Sequence, residues 1–167
     1  MLMPNGKSGR PLLLGAIAAL AINLIPLNAA AQQKNMTAAE LVALLDKAGY
    51  TGYTKVDDGV WEIQFKGKNL PEFAVRVALS EDIVLIMAKL ADRKKLVRAD
   101  QLFQKLLELN DKMDTIKFAL SPDMLYVRIE LHTRLLDEKE LQYAIDQTSA
   151  AVDQSYPQIR QFLPASK

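Results

Sequence analysis

The sequence contains no cysteine and only one histidine among its 167 residues. Without thiols the chain cannot form disulfides, thiolate metal sites or a cysteine nucleophile, and it cannot carry a cysteine-linked lipid anchor. Neither charge is in excess, since 21 basic residues face 20 acidic ones, so nucleic acid is not an expected partner. Half of the residues are hydrophobic, which is enough for a domain that is stabilised by its core alone.

The first 31 residues have the three zones of a secretory signal peptide. Lys7 and Arg10 supply the positive start. The run Leu12–Leu27 is mostly apolar, and Ala29 and Ala31 fit the small-x-small pattern that a signal peptidase accepts. The pattern predicts a bacterial protein that is exported and therefore periplasmic or secreted.

Cleavage is expected near the Ala31–Gln32 bond, which would leave no stable membrane insertion. The alternative is an uncleaved membrane anchor. A spanning helix needs about 20 apolar residues, and this run is shorter and is interrupted by Pro26. Beyond the cleavage site we expect a polar leader over 32–36, a single domain over 37–163 and a short tail over 164–167.

Hydrophobic spacing after residue 36 switches between the helical and the strand period. Thr37 and Glu40 form a capping box at a helix start, and Asp57-Asp58-Gly59 is a hairpin turn signal. Pro157 is expected to kink or interrupt the last helix. The spacing predicts helices near 37–48, 99–113 and 138–163, and strands near 50–56, 61–66, 73–79, 83–88, 116–120 and 125–131.

This order, α-β-β-β-β-α-β-β-α, indicates the fold class. Four consecutive strands with short connections indicate an antiparallel meander. Helices that are segregated from the strands indicate a two-layer α+β domain. We therefore predict one antiparallel sheet of five to six strands that is covered by three helices.

Five segments of the second half resemble a known family. They are Leu-Leu-Glu-Leu-Asn (106–110), Lys-Phe-Ala-Leu (117–120), the apolar strand Leu125–Leu131, Leu-Leu-Asp-Glu-Lys-Glu-Leu (135–141) and Val-Asp-Gln-Ser-Tyr-Pro-Gln-Ile-Arg (152–160). Together with the element order, they resemble the YbjN family, which shares the fold of type III secretion chaperones and includes bacterial sensory transduction regulators. The resemblance implies a homodimer that holds other polypeptides. The chaperones work in the cytoplasm, so an exported member is not expected to keep their secretion role.

No grouping of residues predicts a catalytic centre, a cofactor or a metal site. His132 falls on the polar side of the sixth strand, where the sequence suggests neither a partner nor a substrate cleft for a general base. Glu138 and Glu140 stand in the first turn of a helix, where they stabilise the helix dipole. The remaining candidate ligands are turn-forming aspartates, namely Asp57, Asp58, Asp82 and Asp123. The sequence therefore favours a protein that is not an enzyme.

A basic cluster lies between the fourth strand and the second helix. It consists of Arg93, Lys94, Lys95 and Arg98. An anion or lipid-headgroup site is one interpretation of this cluster. A solvated surface is the other, because acidic residues flank it and no aromatic residues are interleaved.

The fourth strand is apolar on both of its faces. We assign Val84, Ile86 and Leu90 to the core. The side chains on the other face of this strand form a candidate interaction patch with two neighbouring alanines of the third strand. The patch consists of Ile83, Leu85, Met87, Ala74 and Ala78. An exposed apolar patch usually marks an interface. The alternative is a central strand that is covered by the first helix or by the C-terminal tail.

These observations predict a non-enzymatic, exported protein-binding or chaperone-like domain. Its open sheet face and the groove beside the first helix would engage a polypeptide partner. The alternative function is an envelope sensor that binds a small apolar ligand or a lipid between the helices and the sheet. An enzyme of unrecognised type is the third possibility, and it would require a deep polar cleft.

Overall fold

The computed structural model describes residues 35–163. The predicted signal peptide, the start of the polar leader and the tail 164–167 lie outside the described residues. The helices are α1 (Ala38–Lys47), α2 (Ala99–Lys112) and α3 (Glu138–Ile159). The strands are β1 (Tyr53–Asp57), β2 (Val60–Phe65), β3 (Phe73–Ser80), β4 (Ile83–Asp92), β5 (Lys117–Leu120) and β6 (Met124–His132). Short 3-10 turns follow β4, β6 and α3 at Arg93–Lys95, Thr133–Leu135 and Arg160–Phe162.

The strands form one antiparallel sheet with the order β1-β2-β3-β4-β6-β5. The predicted meander of β1 to β4 is confirmed, and β6 adds to β4 with β5 at the outer edge. Six strands and three helices give the predicted α+β class.

The described helices lie on one face of the sheet. Helix α3 packs across β3, β4 and β6, α1 packs on α3, and α2 contacts β5 and α3. Alternate residues of the strands, such as Val75 and Val77 of β3 and Val84 and Ile86 of β4, point into this layer and are fully buried. Helix α3 alone contributes eight buried residues. The other sheet face is therefore the one that the described helices leave open.

Side-chain caps begin α1 and α3. The Thr37 hydroxyl accepts a hydrogen bond from the Glu40 N–H at 3.2 Å, and the Thr37 N–H donates to the Glu40 carboxylate at 2.7 Å. The Asp137 carboxylate accepts from the N–H groups of Lys139 and Glu140. The capping box predicted for α1 is thus confirmed, and Asp137 caps α3 as its sequence position suggests.

Pro157 was expected to kink or interrupt α3, and it does not interrupt the helix. The α-helix continues through Ile159 and passes directly into a 3-10 turn. A proline so close to the helix end removes a single backbone hydrogen bond. Ile159 and Phe162 are buried, so core packing holds the last turns in place.

Strand β4 is longer than predicted, and a bulge near its end changes its register on β6. Lys89 pairs with Tyr126 and Ala91 pairs with Leu125, so Leu90 between them has no cross-strand partner. Bulges of this kind bend a strand and redirect its side chains. Leu90 consequently packs against the core only in part, whereas Val84 and Ile86 are fully buried as predicted.

A loop clamp fixes the β2–β3 connection to α3. The Asp153 carboxylate accepts hydrogen bonds from the backbone N–H groups of Asn69 at 2.7 Å and Leu70 at 2.9 Å. These backbone hydrogen bonds, that of Leu70 foremost, hold the pKa of Asp153 below its ordinary value. Gly67 approaches the same carboxylate so closely that a Cβ at this position would lie 2.6 Å from its Cγ. The clamp therefore needs a glycine at 67 and an acceptor at 153.

Candidate functional site

The open sheet face carries a short apolar row that crosses three strands. Val60 of β2 lies directly opposite Ala78 of β3, and Ala78 lies directly opposite Leu85 of β4. Residues opposite each other in an antiparallel pair share a face and have their Cβ atoms about 5 Å apart. All three side chains are only partly buried. The row is thus an apolar strip that remains available for contact.

A second row runs along β4, at right angles to the first. Ile83, Leu85 and Met87 alternate with the buried Val84 and Ile86, and each of the three is partly exposed. Leu85 belongs to both rows. The structure therefore brings together four of the five predicted patch residues around Leu85, namely Ile83, Leu85, Met87 and Ala78.

Ala74 lies apart from the other four. It pairs with Gln64 of β2, and Arg76 stands between it and Ala78 on the same face of β3. Val60, in contrast, joins the patch although sequence reasoning did not include it. Val60 lies on the same side of β2 as the polar residues Glu62 and Gln64. This alternation was the sequence pattern that places Val60 on the open face.

Charged side chains frame the patch on both sides. Arg76 Nε lies 2.8 Å from Glu62 Oε2 on the β2 side. Arg128 Nη1 lies 2.9 Å from Glu130 Oε1 on β6. Met87 is directly opposite both arginines. An apolar strip with ion-paired borders resembles the core and rim of a protein interface.

Helix α1 does not cover the patch. Its buried leucines, Leu41 and Leu45, belong to the core on the opposite side of the sheet. This excludes one of the two covers that the sequence left open. The other, the C-terminal tail 164–167, lies outside the described residues.

Two tyrosines occupy the position beside α1 that was predicted as a groove. Tyr50 Oη donates to Asp146 Oδ1 at 2.5 Å, and Tyr53 Oη donates to Asp46 Oδ1 at 3.1 Å. Burial and then the hydrogen bond to Asp146 raise the pKa of Tyr50. These bonds tie the segment after α1 to the helix layer, so the open face is the better candidate for partner binding.

The polar candidates are dispersed over the molecule. His132 is exposed at the end of β6, on the open face and opposite Ile83. Asp57, Asp58 and Asp82 stand at one end of the sheet and Asp123 at the other, because β1 to β4 and β6 alternate in direction. Within residues 35–163, no three acidic or histidine side chains are grouped so that they could hold a metal ion.

The basic cluster is also divided. Arg93 donates to the Ser121 carbonyl at 3.1 Å, and Lys95 lies 2.8 Å from Asp92 Oδ2. Arg98 precedes α2 with a left-handed backbone, at φ 53°. The cluster does not act as one anion site, although Lys95 lines a cleft that is described below.

A cavity of about 280 Å³ lies between β6 and α3, where Ile129, Leu131, Tyr143 and Ala144 contribute to its lining. In the predicted sensor function, a small apolar ligand or a lipid would bind in this cavity. Its volume falls just below the roughly 300–1,000 Å³ of typical small-molecule sites.

Among the described residues, no helix is both long and apolar enough to cross a bilayer.

The architecture is that of secretion-chaperone-like α+β domains. The crystal structure of YbjN from E. coli superposes with a TM-score of 0.57 at 14% identity, covering 78% of this chain and 97% of that chain. The crystal structure of the ExsC–ExsE complex contains a chain with a TM-score of 0.56 at 14% identity, covering 77% of this chain and 98% of that chain. At such low identity, both likenesses concern the fold alone.

The sequence profile of the family described as "T3SS (YopN, CesT) and YbjN peptide-binding chaperone 1" matches residues 31–162. The chain therefore belongs to this family of peptide-binding chaperones, and the predicted resemblance and fold class are confirmed. The family is not one of enzymes. No curated protein shows a significant sequence match.

Proposed function

We propose that this protein is an exported, non-enzymatic chaperone-like domain that holds an extended polypeptide on the open face of its sheet. The observation that carries the proposal is the pair of apolar rows that cross at Leu85 on a face that the described helices leave uncovered. Membership of a peptide-binding family supports a polypeptide as the occupant.

Export is supported by the position of the family match. The match begins at residue 31, where the sequence predicts the end of a signal peptide. The segment before it has the charged start and apolar run of a signal sequence. The domain would then act in the periplasm or outside the cell, without thiols and without a disulfide.

A homodimer is the second part of the proposal, and α2 offers the surface for it. Leu107 is 70% exposed and Phe103 is 41% exposed, one helical turn apart on the flank of α2 next to its buried Leu102 and Leu106. Two-fold symmetry would bring the stripe of one protomer against the same stripe of its partner.

In sedimentation equilibrium, the domain 32–167 is expected to have the mass of a dimer, and the Leu107→Glu variant is expected to have the mass of a monomer. A monomeric wild type would contradict this part.

The test of peptide binding is Leu85→Glu. A partner side chain that covers Leu85 gains about 1.5–3 kcal/mol from its burial, so a buried glutamate should weaken binding by at least roughly tenfold. The probe is a fluorescein-labelled peptide that alternates leucine with threonine and ends in glutamines. Its dissociation constant is measured by fluorescence anisotropy.

The matched control is Leu135→Glu, the same change at a leucine that is 74% exposed and stands in the 3-10 turn after β6. This control should bind the probe as the wild type does. Circular dichroism verifies that both variants are folded. Equal binding by wild type and a folded Leu85→Glu variant would contradict the open-face proposal and favour the cavity between β6 and α3.

A further inference from the structure

A cleft of about 840 Å³ opens where the end of β4 passes the last turns of α3. Residues Lys89–Asp92 form its strand side, and Tyr156, Pro157 and Arg160 contribute its helix side. Its volume is within the range of roughly 300–1,000 Å³ that ligand sites occupy. Lys89 of the open face and α3 of the helix layer both line the cleft, so it lies beside the end of β4 and not on the open face itself.

The strand side of the cleft includes an unpaired strand edge. Strand β3 pairs with β4 only as far as Arg76 and Met87. From Ala88 to Asp92, β4 pairs with β6 alone among the described strands. A free strand edge presents backbone donors and acceptors that suit an extended chain. This favours a polypeptide over a lipid as the occupant.

The charges in the cleft are mostly positive. Asp92 forms ion pairs with Lys89 and, at 2.8 Å, with Lys95. Hydrogen bonds from Lys89 and Lys95 lower the pKa of Asp92 to about 2, so the carboxylate remains ionised at neutral pH and holds both ammonium groups on the same side. Arg160 has no ion pair with any residue in 35–163. Three cations and one carboxylate leave a net charge of +2 among these four residues.

Lys89 connects the cleft to the apolar patch. It follows Ile83, Leu85 and Met87 on the same parity of β4, and it also lines the cleft. Six residues of strand span roughly 20 Å at 3.3 Å each. A single extended segment can therefore cover the apolar row and reach the cations.

We propose that the cleft is a second subsite for the polypeptide held on the open face, and that it binds acidic side chains of that polypeptide. This inference rests on the proposed function and specifies the chemistry of the partner. The partner segment has alternate apolar side chains over Ile83, Leu85 and Met87, followed by carboxylates that contact Lys89, Lys95 and Arg160.

Two labelled peptides test the inference. One alternates leucine with threonine and ends in glutamates, and the other ends in glutamines. The wild type should bind the glutamate peptide roughly fivefold more tightly at low salt, because exposed ion pairs contribute about 0.2–1 kcal/mol each. The preference should disappear in the Lys95→Gln/Arg160→Gln double variant and at about 500 mM salt. Affinity for the glutamine peptide should not change in that variant.

Asp92→Asn is the more discriminating variant, because it is expected to increase the affinity for the glutamate peptide. Removal of the carboxylate raises the net charge of the cleft by one, so the glutamate peptide should bind about two- to fivefold more tightly. General damage to the cleft would weaken binding instead. A weaker or unchanged affinity of folded Asp92→Asn for the glutamate peptide would overturn the inference.

The outcomes separate the inference from the proposed function. Equal binding of both peptides to the wild type, with both weakened by Leu85→Glu, would refute the acidic subsite and leave the open face intact. Absence of binding by either peptide would refute the proposed function and the inference with it. Binding of phosphatidylglycerol vesicles that depends on Lys95 and Arg160, without a preference for glutamate, would show a lipid site and overturn the inference.

Discussion

Gly67→Ala is expected to lower the free energy of unfolding by about 1–3 kcal/mol, the usual cost of forcing extra atoms into a packed site. An added Cβ would lie 2.6 Å from Asp153 Cγ and 2.8 Å from the Leu70 carbonyl oxygen. The second of these is a backbone atom, and the Gly67 N–H donates to it at 3.0 Å. Relief of both clashes requires the loop to change its own backbone and either the loop or the Asp153 side chain to move, which disturbs the hydrogen bonds of the clamp.

Gly52→Ala is the matched control for this substitution. A Cβ at residue 52 would meet nothing within 4 Å. Because alanine also restricts the unfolded chain, this control should be neutral or stabilising by up to about 1 kcal/mol. Urea denaturation of both variants measures the difference. Equal stability of the two variants would contradict the tight approach of Gly67 to α3.

The second large effect is expected from Ile145→Ala in the middle of α3. Ile145 is fully buried, and truncation of a buried isoleucine to alanine costs about 2–5 kcal/mol from lost burial and the cavity that remains. Helix α3 spans β3, β4 and β6, so the cavity would lie where the helix layer meets the centre of the sheet.

The control on the same helix is Tyr143→Ala. Tyr143 is 53% exposed, so its truncation should cost about 1 kcal/mol or less. The two variants are compared by the midpoint and slope of urea unfolding. A loss in Ile145→Ala no larger than that in Tyr143→Ala would contradict the role of α3 as the main cover of the sheet.

The parts of the fold that could be predicted depend on local spacing. The two-sided pattern of β4 correctly assigned Val84 and Ile86 to the core and Leu85 to the opposite face. The capping pair Thr37 and Glu40 correctly marked the start of α1. Hydrophobic periodicity and caps act over a few residues, so one sequence is enough to recognise them.

The parts that could not be predicted depend on contacts between distant residues. The clamp joins Asn69 to Asp153, which are 84 positions apart. The bulge at Leu90 follows from the register of β4 on β6, which no local pattern contains. Pro157 was expected to kink or interrupt α3, but the helix continues to the buried Ile159, so core packing outweighs the local preference of proline. Leu90 of the bulge and Pro157 of the continuous helix both line the cleft, so the sequence alone did not predict it.

The position of α3 after all six strands has a consequence for the order of folding. A polypeptide emerges from the ribosome with its N-terminus first, and a domain closes only when all of its core is available. Helix α3 supplies eight buried residues and is synthesised after every strand of the sheet. The sheet therefore lacks most of its cover until α3 has been made. For the export that we propose, such late closure keeps the chain competent for translocation while synthesis continues.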